Sequence, residues 1–260
     1  MRSLLFVSAL ALAACGQQPA ATSADQTSAT ATAVAATDTG LPRAAPWFIC
    51  DGIDTPVVFE VENGGAVARI AEYAKPSGAI ANRTEFDLGD GDGAAGHVYF
   101  ALQRSGQDAG SIRETNSGAL ETPGAAYTPV ITEMKIGDRD VSCRWMPRTR
   151  LMGFTGRRSF VVSEDASGDL IYTAYSFSDA SKQKPIELAD NANTTTFSLE
   201  VRGGNEDVKP DHTTYRFTNN GYTYVVTANK DQTGTLAVLH GAQQVQSEPI
   251  TAFETGNGPT

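Results

Sequence analysis

The stretch HTTYRFTNNGYTYVVTAN, residues 212–229, decides the fold. Two runs rich in Thr, Tyr, Phe and Val flank Asn220-Gly221, and a two-residue loop of that type suits a type I′ turn, because both positions need φ > 0. This register predicts Asn219 opposite Tyr222, Phe217 opposite Tyr224, and Tyr215 opposite Val226. All six then share one face, with two large cross-strand pairs. A second hairpin is expected next. With His240-Gly241 as its turn, Leu236 faces Val245 and Val238 faces Gln243, and His240 adopts positive φ, a region where His is enriched. Working outward, Phe197, Leu199 and Val201 alternate with Ser198, Glu200 and Arg202. Val57, Phe59 and Val61 run up to a turn at Asn63-Gly64-Gly65. Further strands are expected at 98–102, 130–136, 141–146, 160–163 and 171–177. No segment beyond Pro42 has helical periodicity; the best candidate, 67–74, fits neither period. The pattern predicts an all-β chain, an antiparallel sandwich or barrel of about a dozen short strands. We read one continuous body with two lobes, divided near 153–156.

Met1-Arg2-Ser3 is a short basic start, and residues 4–12 (LLFVSALAL) form an apolar core. Nine residues are too few for a membrane span and fit a secretory signal peptide. The segment ends in Leu12-Ala13-Ala14-Cys15, which resembles the lipobox of bacterial lipoproteins. The resemblance implies cleavage before Cys15, lipidation of its thiol and palmitate-type acylation of the new amine. Gly16 in place of Asp implies retention in the outer membrane rather than the inner one. The expected location is therefore the bacterial cell envelope, with the membrane reached through the N-terminal lipid. Residues 16–40, GQQPAATSADQTSATATAVAATDTG, carry no aromatic residue and only Val34 as an aliphatic larger than Ala. Such a segment cannot bury enough surface to offset its ordering entropy. The expected layout is a signal peptide over 1–14, the lipidated Cys15 with a flexible tether over 15–44, a β domain over 45–256, and a tail over 257–260.

Lipidation of Cys15 leaves Cys50 and Cys143 as a single pair, expected to form a disulfide in an oxidising envelope. The competing reading is two free buried thiols. Neither CxxC nor HxxxH occurs, and His97, His212 and His240 are scattered, so no metal site is expected.

Thirty Asp and Glu against 20 Lys and Arg give a net charge of −10. That balance argues against nucleic-acid partners, whose affinity comes mainly from phosphate neutralisation. The basic exception is residues 139–158, RDVSCRWMPRTRLMGFTGRR, where six arginines face one acid, Asp140. Arginine's planar fork suits carboxylates and phosphates, so Arg144, Arg148, Arg150, Arg157 and Arg158 are the candidate anion-binding residues, with Arg139 beside them. The competing reading pairs these arginines with acids of the same domain. Residues 87–93, DLGDGDG, have the look of a calcium loop but break its frame, with Tyr99 at the twelfth position, and read as a surface turn. GxSxG, HExxH, P-loop and dinucleotide patterns do not occur, so no catalytic residue and no cofactor is expected.

Trp47-Phe48-Ile49-Cys50-Asp51-Gly52, followed by Pro56-Val57-Val58-Phe59-Glu60-Val61, resembles the opening of the membrane-bound inhibitors of c-type lysozyme. These are small β-barrel lipoproteins that block the lysozyme cleft with a Ser-Gly-x-x-Tyr loop. Ser77-Gly78-Ala79 and Ser117-Gly118-Ala119 match the start of that motif, but Ala81 and Glu121 stand where Tyr belongs. The resemblance covers the first hundred residues of the body. The functional expectation is a lipid-anchored, non-enzymatic envelope protein that binds a macromolecular partner or an anionic envelope ligand. The alternatives are a c-type lysozyme inhibitor and a cell-wall or polysaccharide hydrolase using carboxylates.

Overall fold

The computed structural model describes residues 44–178 and 197–258, and all of them belong to one compact unit. The leader, Cys15 and nearly all of the tether lie outside the described residues. Among the described residues, seventeen strands make two antiparallel sheets, one nearly closed into a barrel and one a half-barrel. The all-β reading holds, with more strands than the dozen expected.

The first sheet is an up-and-down meander. Its strands are β1 (Phe48–Asp51), β2 (Val57–Asn63), β3 (Val67–Ala74), β4 (Ala79–Ala94), β5 (His97–Arg104), β6 (Gln107–Thr115), β7 (Ile131–Ile136) and β8 (Arg139–Ser142), in that spatial order. Just past the ends of β1 and β8, Gly52 bridges Cys143, and the Arg144 N–H donates to the Asp51 carbonyl at 3.0 Å. The Cys50–Cys143 disulfide sits at this seam, as the cysteine count predicted. It closes a loop of 93 residues, so the covalent link and the barrel closure constrain the same seam.

The second sheet comprises β9 (Thr149–Thr155), β10 (Arg158–Glu164), β11 (Leu170–Ser176), β12 (Leu199–Arg202), β13 (Asn205–Val208), β14 (His212–Asn219), β15 (Tyr222–Asn229), β16 (Gly234–His240) and β17 (Gln243–Thr255). Its order is β12-β11-β10-β9-β17-β16-β15-β14-β13. Edge strands β12 and β13 are consecutive in the chain, so the sheet must curl until its two edges approach at Gly203-Gly204. Long strand β17 pairs with β16 through its first half and with β9 through its second, joining the two parts of the sheet.

Three apolar clusters follow from this geometry. Phe59, Val61, Leu102, Ile112 and Met134 fill the first barrel. Phe160, Tyr172, Phe217, Val226 and Phe253 fill the half-barrel. Between the two sheets lie Ile49, Val58 and Tyr73 from one and Met152, Phe154 and Tyr175 from the other. Strands at this contact are buried on both faces: Val57 to Val61 in β2 and the whole of β11 up to Tyr175. Such strands read as near-continuous apolar runs.

The β14–β15 hairpin has the predicted register: Asn219↔Tyr222, Phe217↔Tyr224 and Tyr215↔Val226, with φ of 49° at Asn220 and 81° at Gly221. The next hairpin differs. His240 pairs with Gln243 and Val238 with Gln246, so Gly241-Ala242 is the turn, with φ of 60° at Gly241. A bulge after Val238 absorbs the extra residue, which a count from the turn alone does not foresee. Residues 87–93 form no turn; they lie inside β4, whose pairing to β5 skips at a bulge between Leu88 and Gly91. Residues 67–74 are strand β3. Phe197 stands outside β12 and is 43% exposed. The strand expected over 141–146 ends at Ser142, because the chain leaves the first sheet there. That departure, over 143–148, is where one sheet gives way to the other, ahead of the 153–156 boundary read from the glycines. Gly153 is instead an interior residue of β9, where a Cβ would come within 3.0 Å of Phe160, Ala252 and Phe253.

Candidate functional site

The arginine-rich segment runs from β8 through the crossover into β10, and the fold disperses it. Arg139 makes a bidentate pair with Glu72, both bonds at 2.7 Å. Arg158 Nη2 lies 3.0 Å from Glu248, whose other oxygen accepts from Thr155 Oγ1 at 2.5 Å. Arg150 lies 2.8 Å from Glu164 and 3.5 Å from Glu206. Arg144 is 1% exposed and bonded to Asp51 at 2.8 Å. Of the five candidate anion-binding arginines, Arg144, Arg150 and Arg158 thus hold carboxylates of their own domain. Arg148 and Arg157 make no ion pair with another described residue, and Arg157 is exposed. Pairing is the physical default here, because an acidic body offers a carboxylate to nearly any arginine that the fold brings inward.

Arg144 belongs to a buried hub. Asp51 on β1 is fully buried; its carboxylate receives Lys75 Nζ at 2.5 Å, Arg144 Nε at 2.8 Å and Ser159 Oγ at 2.6 Å. Lys75 also donates to the Gly52 carbonyl at 2.7 Å. The Arg144 guanidinium lies 3.5 Å from the centre of the Tyr175 ring. Asp51 and Arg144 directly follow the two disulfide cysteines, whereas Ser159 and Tyr175 come from the second sheet. One carboxylate thus ties the barrel seam to the half-barrel. Burial pushes the Asp51 carboxyl up, but Lys75 and Arg144 outweigh that and leave it below the ordinary carboxylate range. Nothing in the composition signalled this hub, since Asp51 and Ser159 are 108 residues apart.

Glu254 on β17 is a second buried carboxyl near the same contact. Burial pushes it up to about 8, against a backbone hydrogen bond from Ile49. It is held uncharged through most of the neutral range.

A cleft of about 350 Å³ opens at the end of the half-barrel where β17 finishes, lined in part by Arg150, Glu206, His212, Tyr215, Lys230 and Phe253. Behind Arg150, the Tyr127 hydroxyl donates to Glu164 at 3.1 Å. Burial pushes the Tyr215 phenol up, and Glu206 beside it adds to that shift. Arg150 and Lys230 line this cleft together with the carboxylate of Glu206, so it carries both signs of charge. Among the described residues, no group of three or more His, Cys, Asp or Glu is placed to hold a metal.

The two Ser-Gly-Ala segments part company. Gly78, at φ 65°, sits so close to the backbone of Gly156 that a Cβ would fall 2.3 Å from its carbonyl oxygen, which holds the β3–β4 turn against the second sheet. Ser117–Ala119 forms an exposed 3-10 turn capped by Asn116, whose side chain accepts from the Gly118 N–H at 2.9 Å. Compared with protein-family models, curated proteins and solved structures, the chain matches none of them.

Proposed function

We propose that this chain is a lipid-anchored, non-enzymatic protein of the bacterial envelope whose β body binds a macromolecular partner of positive charge. The observation that carries the reading is the fate of the arginines. Each internal pair removes one charge of either sign, so the negative excess, ten charges over the full sequence, stays with the rest of the molecule. That favours a cationic partner, steered in by the field, over an anionic ligand at residues 139–158. Inhibition of a c-type lysozyme is the particular form we put to the test. In its support, the eight-stranded barrel spans the stretch that resembles those inhibitors, and Ser117–Ala119 stands exposed on it.

The test is lysozyme turnover on cell walls with and without the purified chain. Stoichiometric inhibition that weakens with added salt is expected, and Ser117→Arg is expected to reduce it. No inhibition at micromolar excess retires the lysozyme form. Palmitate labelling that is present in the wild type and lost in Cys15→Ser is expected of the anchor; labelling that survives the substitution overturns it. A second reading, the carboxylate hydrolase, has one feature in its favour: Arg150 pairs with two carboxylates, Glu164 and the cleft-lining Glu206. Sugar or peptide release from cell walls, abolished by Glu206→Gln, would displace the non-enzymatic reading.

A further inference from the structure

The hairpin tips of the half-barrel present an exposed aromatic surface. Strand register sets Asn219 opposite Tyr222, Tyr222 opposite His240, and His240 opposite Gln243. Directly opposed residues share a face, so these four side chains form one row across four strands, about 14 Å long at the usual strand spacing. Tyr222 is 40% exposed, and its ring stacks on His240 with centroids 4.7 Å apart and planes 30° from parallel. His240 also lies over Gly221, 3.7 Å from where a Cβ would stand. The imidazole therefore braces the phenol, so holding the ring in place for a ligand costs less ordering entropy than fixing a free side chain.

Charge is missing from this region. Although 19% of the chain is Asp, Glu, Lys or Arg, none occurs in residues 217–229 or 232–247. An exposed aromatic ring flanked by amides, with no ionic group, matches a ligand that offers C–H faces, hydroxyls and amides but no charge. With no charge to offer, the row is a poor match for nucleic acid, whose affinity rests on phosphate neutralisation.

We propose that the Asn219–Tyr222–His240–Gln243 row binds a neutral oligosaccharide, with a sugar ring stacked on Tyr222 and its hydroxyl or N-acetyl groups bonded by the flanking amides. This site is separate from the barrel surface invoked for a cationic partner, so either reading can fail alone.

The experiment titrates the full chain with the neutral trimer of N-acetylglucosamine and, in parallel, with its de-N-acetylated cationic form, following NMR shifts and heat. Saturable, millimolar binding of the neutral trimer is expected, with shifts centred on Tyr222 and His240. Tyr222→Ala should weaken it by about tenfold, the size of one lost stacking contact, while Tyr222→Phe retains it. Gln243→Ala, on an exposed tip, provides a second variant if Tyr222→Ala loses its fold, and it too should weaken binding. Absence of saturable binding, equal affinity in Tyr222→Ala or in a folded Gln243→Ala, or preference for the cationic trimer would each overturn the site.

Discussion

Asp51 stands at the centre of the buried hub, and its energetics are asymmetric. Two cations and a hydroxyl meet one buried carboxylate at 2.5–2.8 Å. Removing that carboxylate leaves Lys75 and Arg144 buried without their shared counter-charge, which costs about 3–5 kcal/mol. Asp51→Ala is therefore expected to lower the denaturation midpoint sharply, whereas Ser159→Ala, which removes one donor, costs about 1–3 kcal/mol. Chemical denaturation of both variants checks the ranking. Because the Asp51 carboxyl is held below its ordinary range, its stabilisation is complete above the usual carboxylate pKa and is lost as pH falls through the lowered value. Glu254 works the other way. With a folded pKa raised from 4.5 to about 8, it favours the fold at low pH and withdraws that support as pH rises from about 4.5 to 8. Glu254→Gln keeps the neutral shape, so it should flatten this part of the stability–pH curve and raise stability most near pH 8. Thermal melts of the two proteins across that range test the sign.

At the scale of the element, the barrel seam is the point most sensitive to covalent change. The β1 and β8 ends are joined by the Gly52–Cys143 bridge, neighbouring backbone bonds and the Ser142–Asp54 hydrogen bonds, and the disulfide spans the same place. Reduction, or Cys50→Ser with Cys143→Ser, should cost about 4–5 kcal/mol by the loop-closure estimate for this length. Melting with and without reductant reads that loss directly. The β5–β6 hairpin and its pairing to β7 depend on Gly110, which has φ of 143° and would place a Cβ 2.0 Å from the Lys135 carbonyl oxygen. Gly110→Ala must move backbone on one strand or the other, and a loss of about 1–3 kcal/mol is expected in the same assay.

For the whole molecule, the informative layer is the one between the sheets. Apolar side chains from both outer faces make it, and it includes the Asp51 hub and Glu254. Two β bodies joined through a layer this thoroughly buried are expected to melt as one cooperative unit, with a single calorimetric transition. Asp51→Ala should separate that transition into two if the hub is what couples them. The acidic exterior and the uncharged tip row then occupy different parts of one rigid frame. Lysozyme inhibition tests the first and sugar titration the second.

How much of this was legible in the residues depends on the range of the interaction. Strand existence and the Asn220-Gly221 hairpin follow from local rules, since a two-residue turn and a period of two fix both register and face. The Cys50–Cys143 pair was legible by counting. Bulges in β4 and after Val238 were not, because an extra residue in a strand leaves no mark on the alternation that a count can use. The arginine cluster looked like a site because a sequence shows neighbours along the chain. The fold answered with Glu72, Asp51, Glu164 and Glu248, partners up to 93 residues away. The sequence by itself therefore determined the all-β class, the best hairpin and the disulfide, which rest on local backbone geometry and residue chemistry. Only tertiary structure decided which sheet faces meet, where the arginines are neutralised and which uncharged tips stand in solvent, because burial and ion pairing are set by strands distant in sequence.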